Sequence, residues 1–227
     1  MKATKKTVVC AAAILLAGML GGCGSKKAEY EKPVILVVSF GTSYNDSRDK
    51  TIGGIEQAIA DANPDYEVRR AFTSQIIIDK LKERDGLEID NVKEALDRAV
   101  ADGVKTLVVQ PTHLMNGYEY TDLMDELSEY EDSFDQIAVG EPLLTSDDDF
   151  EAVISAITAH TESYCSDDTA IIFMGHGTEA DSNSVYEKMQ NMISADGFSD
   201  YYIGTVEATP SLEDVIADAT AGGYTKV

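Results

Sequence analysis

Ala170-Ile171-Ile172-Phe173-Met174-Gly175-His176-Gly177-Thr178 is the stretch whose reading decides how this chain folds. It opens with an unbroken apolar run, the pattern of a strand buried on both faces of a parallel sheet. The run ends in a histidine held between two glycines, which permit a tight turn and a close ligand approach. Open α/β sheets place their ligands at the carboxyl ends of their strands. His176 therefore reads as a functional candidate. A core histidine belongs inside an apolar run, flanked by side chains that bury it.

The same design stands earlier in the chain. Val34–Ser39 is a second buried-strand run, and it enters Phe40-Gly41-Thr42-Ser43. A helical pattern over Ile52–Ala62 closes at Asn63-Pro64-Asp65. Residues 67–71 form a second short strand that leads through Phe72-Thr73-Ser74 into a helix over residues 75–84. Residues 92–101 carry an apolar stripe of Val92, Ala95, Leu96, Ala99 and Val100, closed by Gly103. Residues 106–110 make a third buried strand.

In the second half, residues 201–206 form the next strand and end in Glu207-Ala208-Thr209-Pro210-Ser211, which local similarity sets against Arg70-Ala71-Phe72-Thr73-Ser74. Leu212–Ala221 is a helix capped by Gly222-Gly223, and Tyr224-Thr225-Lys226-Val227 echoes Val104-Lys105-Thr106-Leu107. The offset is 136 at Thr42/Thr178 and 120 at Gly103/Gly223, a diverged duplication rather than a tandem array. Strands alternating with helices give right-handed βαβ units and parallel sheets. The expected class is α/β, with two similar lobes, each a parallel sheet flanked by helices. An N-terminal lobe is expected over residues 34–150 and a C-terminal lobe over residues 151–227. The third strand of the second lobe has barely begun at Val227, so that lobe reads as truncated.

Composition narrows the partners. A net charge of -23 excludes nucleic acid, which needs clustered Lys and Arg. Its first meaning is solubility. At the start, Lys2, Lys5 and Lys6 precede an apolar run over residues 7–22, shorter than the roughly 20 residues of a membrane span. That run ends Leu20-Gly21-Gly22-Cys23, which looks like a bacterial lipobox. The expectation is a signal peptide over residues 1–22, a lipidated Cys23, a tether over residues 23–33, and an exported protein. It would be anchored to the outer face of the cytoplasmic membrane or be periplasmic. Loss of Cys10 with the leader leaves only Cys23 and Cys165, so no disulfide framework is expected.

The chain has three histidines. His160 ends a helix-like segment and reads as a solvated helix-end residue. His176 has a neighbour to work with. Glu207 ends the following strand, and adjacent parallel strands bring both residues to one edge, giving an imidazole and a carboxylate suited to divalent cobalt, nickel or iron. His113, in Pro111-Thr112-His113, ends the third strand of the first lobe at the matching edge. Gly41, Thr42 and Ser43 offer backbone N–H groups and hydroxyls to an anion. No G-x-x-x-x-G-K-[ST] loop, G-x-S-x-G elbow, H-E-x-x-H helix or C-x-x-C pair occurs. A nucleotide cofactor, these hydrolytic centres and structural zinc are thereby disfavoured.

Together these segments resemble the anaerobic cobalt chelatase family CbiK, whose members insert cobalt into sirohydrochlorin during cobalamin synthesis. The resemblance rests on Val37-Val38-Ser39-Phe40-Gly41-Thr42-Ser43, Arg70-Ala71-Phe72-Thr73-Ser74, His113-Leu114-Met115-Asn116-Gly117 with Glu119-Tyr120, Gly140-Glu141-Pro142-Leu143-Leu144, and Phe173-Met174-Gly175-His176-Gly177. It implies two lobes around a cleft and nucleotide-free insertion of Co2+, with Ni2+ or Fe2+ acceptable to the same donors. It implies His176 and Glu207 as catalytic metal ligands, and a further ligating histidine beyond Val227. Gly41, Thr42, Ser43, His113 and Glu119 become the expected tetrapyrrole contacts. A lipobox departs from the usual cytoplasmic member. The alternative expectation is therefore an extracytoplasmic lipoprotein that binds haem, another tetrapyrrole or metal without turnover. A metal-dependent hydrolase is weaker still, and a homo-oligomer is compatible with either main reading.

Overall fold

The computed structural model describes residues 32–227, and the expected leader, lipidation site and most of the tether lie outside the described residues. β1 (Val34–Ser39) is buried at all its positions because it lies inside a four-stranded parallel sheet. α1 (Asn45–Lys50) and α2 (Ile52–Ala62) lead to β2 (Glu67–Phe72). α3 (Gln75–Asp85) and α4 (Val92–Asp102) lead to β3 (Thr106–Pro111), and α5 (Tyr118–Ser128) leads to β4 (Gln136–Val139). The strand order is β2-β1-β3-β4.

Local chemistry sets these boundaries. The Asn91 side chain accepts the Glu94 N–H at 2.8 Å, and Glu94 accepts the Asn91 N–H at 3.0 Å, a reciprocal cap that starts α4. Gly103, at φ 84, ends it. Between those caps Val92, Ala95, Leu96 and Ala99 face the sheet and pack on Val34, Leu36, Val38, Leu107 and Val109. Each fully buried Leu or Val side chain contributes roughly 1.5–3 kcal/mol, so this interdigitated layer holds the first lobe together.

The second lobe contains α6 (Asp147–Thr161), β5 (Ile171–Gly175), α7 (Ser184–Ala195), β6 (Tyr201–Thr205) and α8 (Leu212–Ala221). Leu144, Phe150 and Ile154 pack with Tyr186, Met189, Ile193, Tyr201 and Ile203 in a second core. The expected 150/151 division thus falls within α6, a helix that packs as one unit on the second core. Leu114 and Met115 of the first lobe also lean on that core. Leu143 N–H donates to the His113 carbonyl and Leu144 N–H to the Leu114 carbonyl, both at 2.9 Å. The loop after β3 is therefore the seam between lobes.

Ladder register tests the duplication. β5 and β6 run parallel from Ile171↔Tyr201 to Gly175↔Thr205. Beyond them Thr169 pairs with Lys226 in a parallel bridge, and Ala170 N–H donates to the Lys226 carbonyl at 2.9 Å. Shifted back by 136 and 120 residues, that rung falls at Pro33 and Thr106, directly before the observed Val34↔Leu107 rung. Lys226 therefore stands beside the start of β5 as Thr106 stands beside the start of β1.

One equivalence read from the sequence is corrected. Ser39 stands opposite Phe72, and Gly175 opposite Thr205. Phe72 then bridges to Asn91, as Thr205 bridges to Ser211. Ser211 thus matches Asn91 at the capped start of a helix, and not Ser74. α3 has no counterpart in the second lobe, where only residues 206–210 separate β6 from the cap of α8. Local letter similarity had hidden this missing helix.

Candidate metal and tetrapyrrole site

Strand pairing builds the site. Beyond the last rung of β5 and β6, Val206 N–H donates to the Gly175 carbonyl at 3.0 Å, and Glu207 N–H to the His176 carbonyl at 2.9 Å. The ladder therefore runs on past both strands and carries their end residues side by side. His176 Nε2 lies 3.3 Å from Glu207 Oε2. Both side chains are largely open to solvent, at 76% and 67%.

The two glycines have different duties. A Cβ on Gly175 would lie 2.2 Å from the Tyr186 ring, so Gly175 gives that ring its place in the core. Gly177 takes φ +86, a left-handed conformation that favours glycine. A Cβ there would meet the Ala208 Cβ at 2.7 Å and the Ala208 nitrogen at 2.9 Å. Close packing of the 176–178 turn on the 206–210 loop thus depends on Gly177.

The 206–210 loop is tied from below by Thr205, which is fully buried. Its Oγ1 accepts the Ala208 N–H at 3.2 Å and donates to the Pro210 carbonyl at 2.9 Å. From the side, Asn183 Oδ1 accepts the Thr178 N–H at 3.1 Å, while its Nδ2 donates to the Thr209 carbonyl at 2.9 Å. Sequence reading passed over Asn183 and Thr205. Each is an isolated polar residue whose meaning comes from contacts across the fold, and no local pattern announces it.

Two donors 3.3 Å apart suit a divalent ion. With metal–ligand bonds of about 2.1 Å to each, they subtend an angle of roughly 100°, between octahedral and tetrahedral values. No third His, Cys, Asp or Glu joins them among the described residues, where no group of three such side chains converges.

The first-lobe candidates form a separate group at the carboxyl edge of β1, β2 and β3. Gly41, at φ +99, lies so close to Phe72 that a Cβ would stand 2.6 Å from its ring. Thr42 Oγ1 accepts the Tyr44 N–H at 3.3 Å, and Ser43 is buried. The Thr112 hydroxyl donates to Ser39 Oγ at 2.9 Å, joining the ends of β1 and β3. His113 is half-buried, and neither of its ring nitrogens has a partner. Burial pushes its pKa below the ordinary value, and the carboxylate of Glu119 partly opposes that.

Glu119 lies exposed in the first turn of α5, at the edge of a cavity of about 290 Å3 shared with Phe40, Thr73, Asp122 and Glu126. Burial raises the Glu126 carboxyl above its usual range, with Glu129 adding to the effect. Among the described residues no hydrogen bond or ion pair links this group to His176 or Glu207. A larger concavity, about 780 Å3, follows the flank of β2. Its charges neutralise one another, Arg70 on Glu56 and Arg98 on Asp90, and it contains none of the strand-end candidates. The sequence-derived candidates thus lie at the strand ends, outside the larger hollow.

Phe40, Tyr118, Leu143, Met174 and Val206 are each 40% exposed or more, and they follow or close β1, β3, β4, β5 and β6. Other exposed apolar side chains, Ile55, Ile76, Val100 and Ile216 among them, stand on the helices, as scattered surface apolar residues ordinarily do.

Comparison with known proteins identifies the family. Residues 33–227 match the family described as Cobalt chelatase (CbiK). The sirohydrochlorin cobaltochelatase of Salmonella typhimurium is 35% identical over 196 residues, covering 86% of this chain and 74% of that protein. The sirohydrochlorin cobaltochelatase CbiKC of Nitratidesulfovibrio vulgaris is 29% identical over 209 residues, covering 89% of this chain and 73% of that protein. A parallel α/β fold and a family match spanning the described residues lead to one conclusion: this chain belongs to the CbiK cobalt chelatase family.

Proposed function

We propose that this chain inserts cobalt into sirohydrochlorin without a nucleotide, using His176 and Glu207 to hold the incoming ion. The observation that carries the proposal is the 3.3 Å approach of His176 Nε2 to Glu207 Oε2 at the carboxyl ends of adjacent strands. Support comes from the relatives named above.

The reaction needs no redox change. Co2+ is the substrate ion, held by the imidazole nitrogen and the carboxylate. As bonds form from cobalt to the pyrrole nitrogens, two N–H protons leave the macrocycle, and the charge balances. The departing ion frees the His176 lone pair and the Glu207 carboxylate, so these two groups can accept one of those protons each and pass them to solvent. Gly41, Thr42, Ser43, His113 and Glu119 line the tetrapyrrole's side of the site in this reading. Nickel and ferrous iron satisfy the same donor types and are the competing ions.

The proposal includes an address. Residues 1–22 direct export and Cys23 carries a lipid that holds the enzyme on the outer face of the membrane. The basic start, the apolar run and Leu20-Gly21-Gly22-Cys23 support it. A Cys23→Ser variant is then released from the membrane fraction.

The test of function is anaerobic incubation of the protein with excess sirohydrochlorin and Co2+, with no nucleotide, followed by absorption spectroscopy. Many macrocycles metallated per protein support the chelatase. A spectral change that stops at one equivalent contradicts turnover and indicates a carrier.

A further inference from the structure

The second lobe holds Glu207 by unusual means. In the first lobe, the chain between β2 and the capped start of α4 contains a whole helix, α3. In the second lobe that interval shrinks to residues 206–210, running from Thr205 to the cap at Ser211. A short loop with no helix of its own must therefore present a carboxylate to His176, which sits on another short loop. The Glu207 N–H bond to the His176 carbonyl joins the two loops directly, and a brace tied to a packed helix would fix the joined pair against the core.

We propose that Asn183 is that brace: a positioning residue whose single amide ties the His176 loop to the Glu207 loop and so sets the affinity of the pair for cobalt. This inference rests on the reading of His176 and Glu207 as the cobalt-holding pair. One face of the amide accepts the Thr178 N–H at 3.1 Å, two residues beyond His176. The other donates to the Thr209 carbonyl at 2.9 Å, two residues beyond Glu207. Only a side chain with both a donor and an acceptor can make this bridge, and Asn offers both from adjacent atoms.

The brace is itself anchored. Asn183 is the N-cap position of α7, and its own N–H donates to the Ala180 carbonyl at 2.9 Å. α7 is fixed in the second core through Tyr186, Met189 and Ile193. Asn183 thus relays the rigidity of a packed helix to two exposed loops. Hydrogen bonds that orient metal ligands typically change metal affinity or activity by 10–100-fold when removed, although they touch neither ion nor substrate.

The experiment titrates Co2+ alone into the wild-type protein and into Asn183→Ala, Asn183→Asp and His176→Ala variants, reading the visible bands of bound cobalt. Steady-state insertion then gives KM separately for cobalt and for sirohydrochlorin. Asp is a favourable N-cap residue and keeps the acceptor toward Thr178, but it places a carboxylate against the Thr209 carbonyl. It therefore remains informative if the Ala variant fails to fold. The expected result is a rise of about 10-fold or more in both the cobalt Kd and the cobalt KM for the two Asn183 variants, with the sirohydrochlorin KM unchanged. Wild-type cobalt affinity in Asn183→Asp, alongside lost binding in His176→Ala, overturns the brace and leaves the cobalt pair standing. Equal rises in both KM values also overturn it, since they report general loosening. Undiminished cobalt binding in His176→Ala removes the pair itself, and the brace with it.

Discussion

Gly177 and Ala208 are packed so tightly that one added carbon on Gly177 would sit 2.7 Å from the Ala208 Cβ. This contact presses the turn carrying His176 onto the loop carrying Glu207. Substituting Gly177→Ala forces a left-handed backbone angle on a residue with a Cβ and drives that carbon into the neighbouring loop. The expected cost is about 1–3 kcal/mol of stability. Thermal unfolding measures that cost. A parallel Co2+ titration should show weaker binding, because the two donors are pushed apart.

Thr205 supports the same loop from within the protein. Thr205→Val is nearly isosteric but leaves the Ala208 N–H without its acceptor and removes one donor to the Pro210 carbonyl. A buried group left unpaired costs about 1–3 kcal/mol. A melting temperature lowered by several degrees, together with a raised cobalt KM, is the expected outcome. An unchanged KM would detach this threonine from the site.

His113 makes the opposite prediction. Both its nitrogens are unpartnered, and burial holds its pKa below 6.5. The folded protein therefore prefers the neutral ring. As pH falls through about 6.5 the unfolded chain takes up a proton that the folded chain resists, so stability is lost from there downward to the folded-state value. His113→Phe should raise stability by about 1–3 kcal/mol and flatten the melting-temperature profile below pH 6.5. Weakened sirohydrochlorin binding in the same variant would place His113 in contact with the macrocycle.

Acid stability has a second source. Ser146 donates its hydroxyl and its N–H to Asp149, and Ser211 does the same to Asp214. These bonds hold both carboxyls below 3.8, the side-chain bond being the larger cause in each. Their contribution is present above about pH 3.8 and is lost as pH falls through the lower folded-state values. Asp149→Asn and Asp214→Asn should each flatten the acid limb of a melting-temperature profile and leave the neutral region little changed in slope.

Much of this was legible in the sequence because the central strands are written without ambiguity. Val34–Ser39 is too apolar to be anything but a buried strand, whereas the equally apolar run before His176 forms β5 and is only half-buried, with Met174 exposed. Adjacent strands then carry His176 and Glu207 to one edge, where they meet. The missing α3 was not legible. Ala71 with Ser74 and Ala208 with Ser211 share a spacing, but by ladder register Phe72 occupies the position of Thr205, and Asn91 that of Ser211. α7 escaped because its stripe of Tyr186, Met189 and Ile193 is set among polar residues, and β4 because it is a short edge strand with alternating exposure. Asn183 escaped for a deeper reason. A brace between two loops has no periodicity, and only the folded chain shows what it joins.

Cobalt-edge X-ray absorption on the Co2+-loaded protein tests the central claim most directly. The account predicts an imidazole nitrogen from His176 in the cobalt shell of the wild-type protein, and the loss of that nitrogen, with the affinity, in His176→Ala. An imidazole signal that persists in His176→Ala at wild-type affinity would place the ion elsewhere and contradict the account.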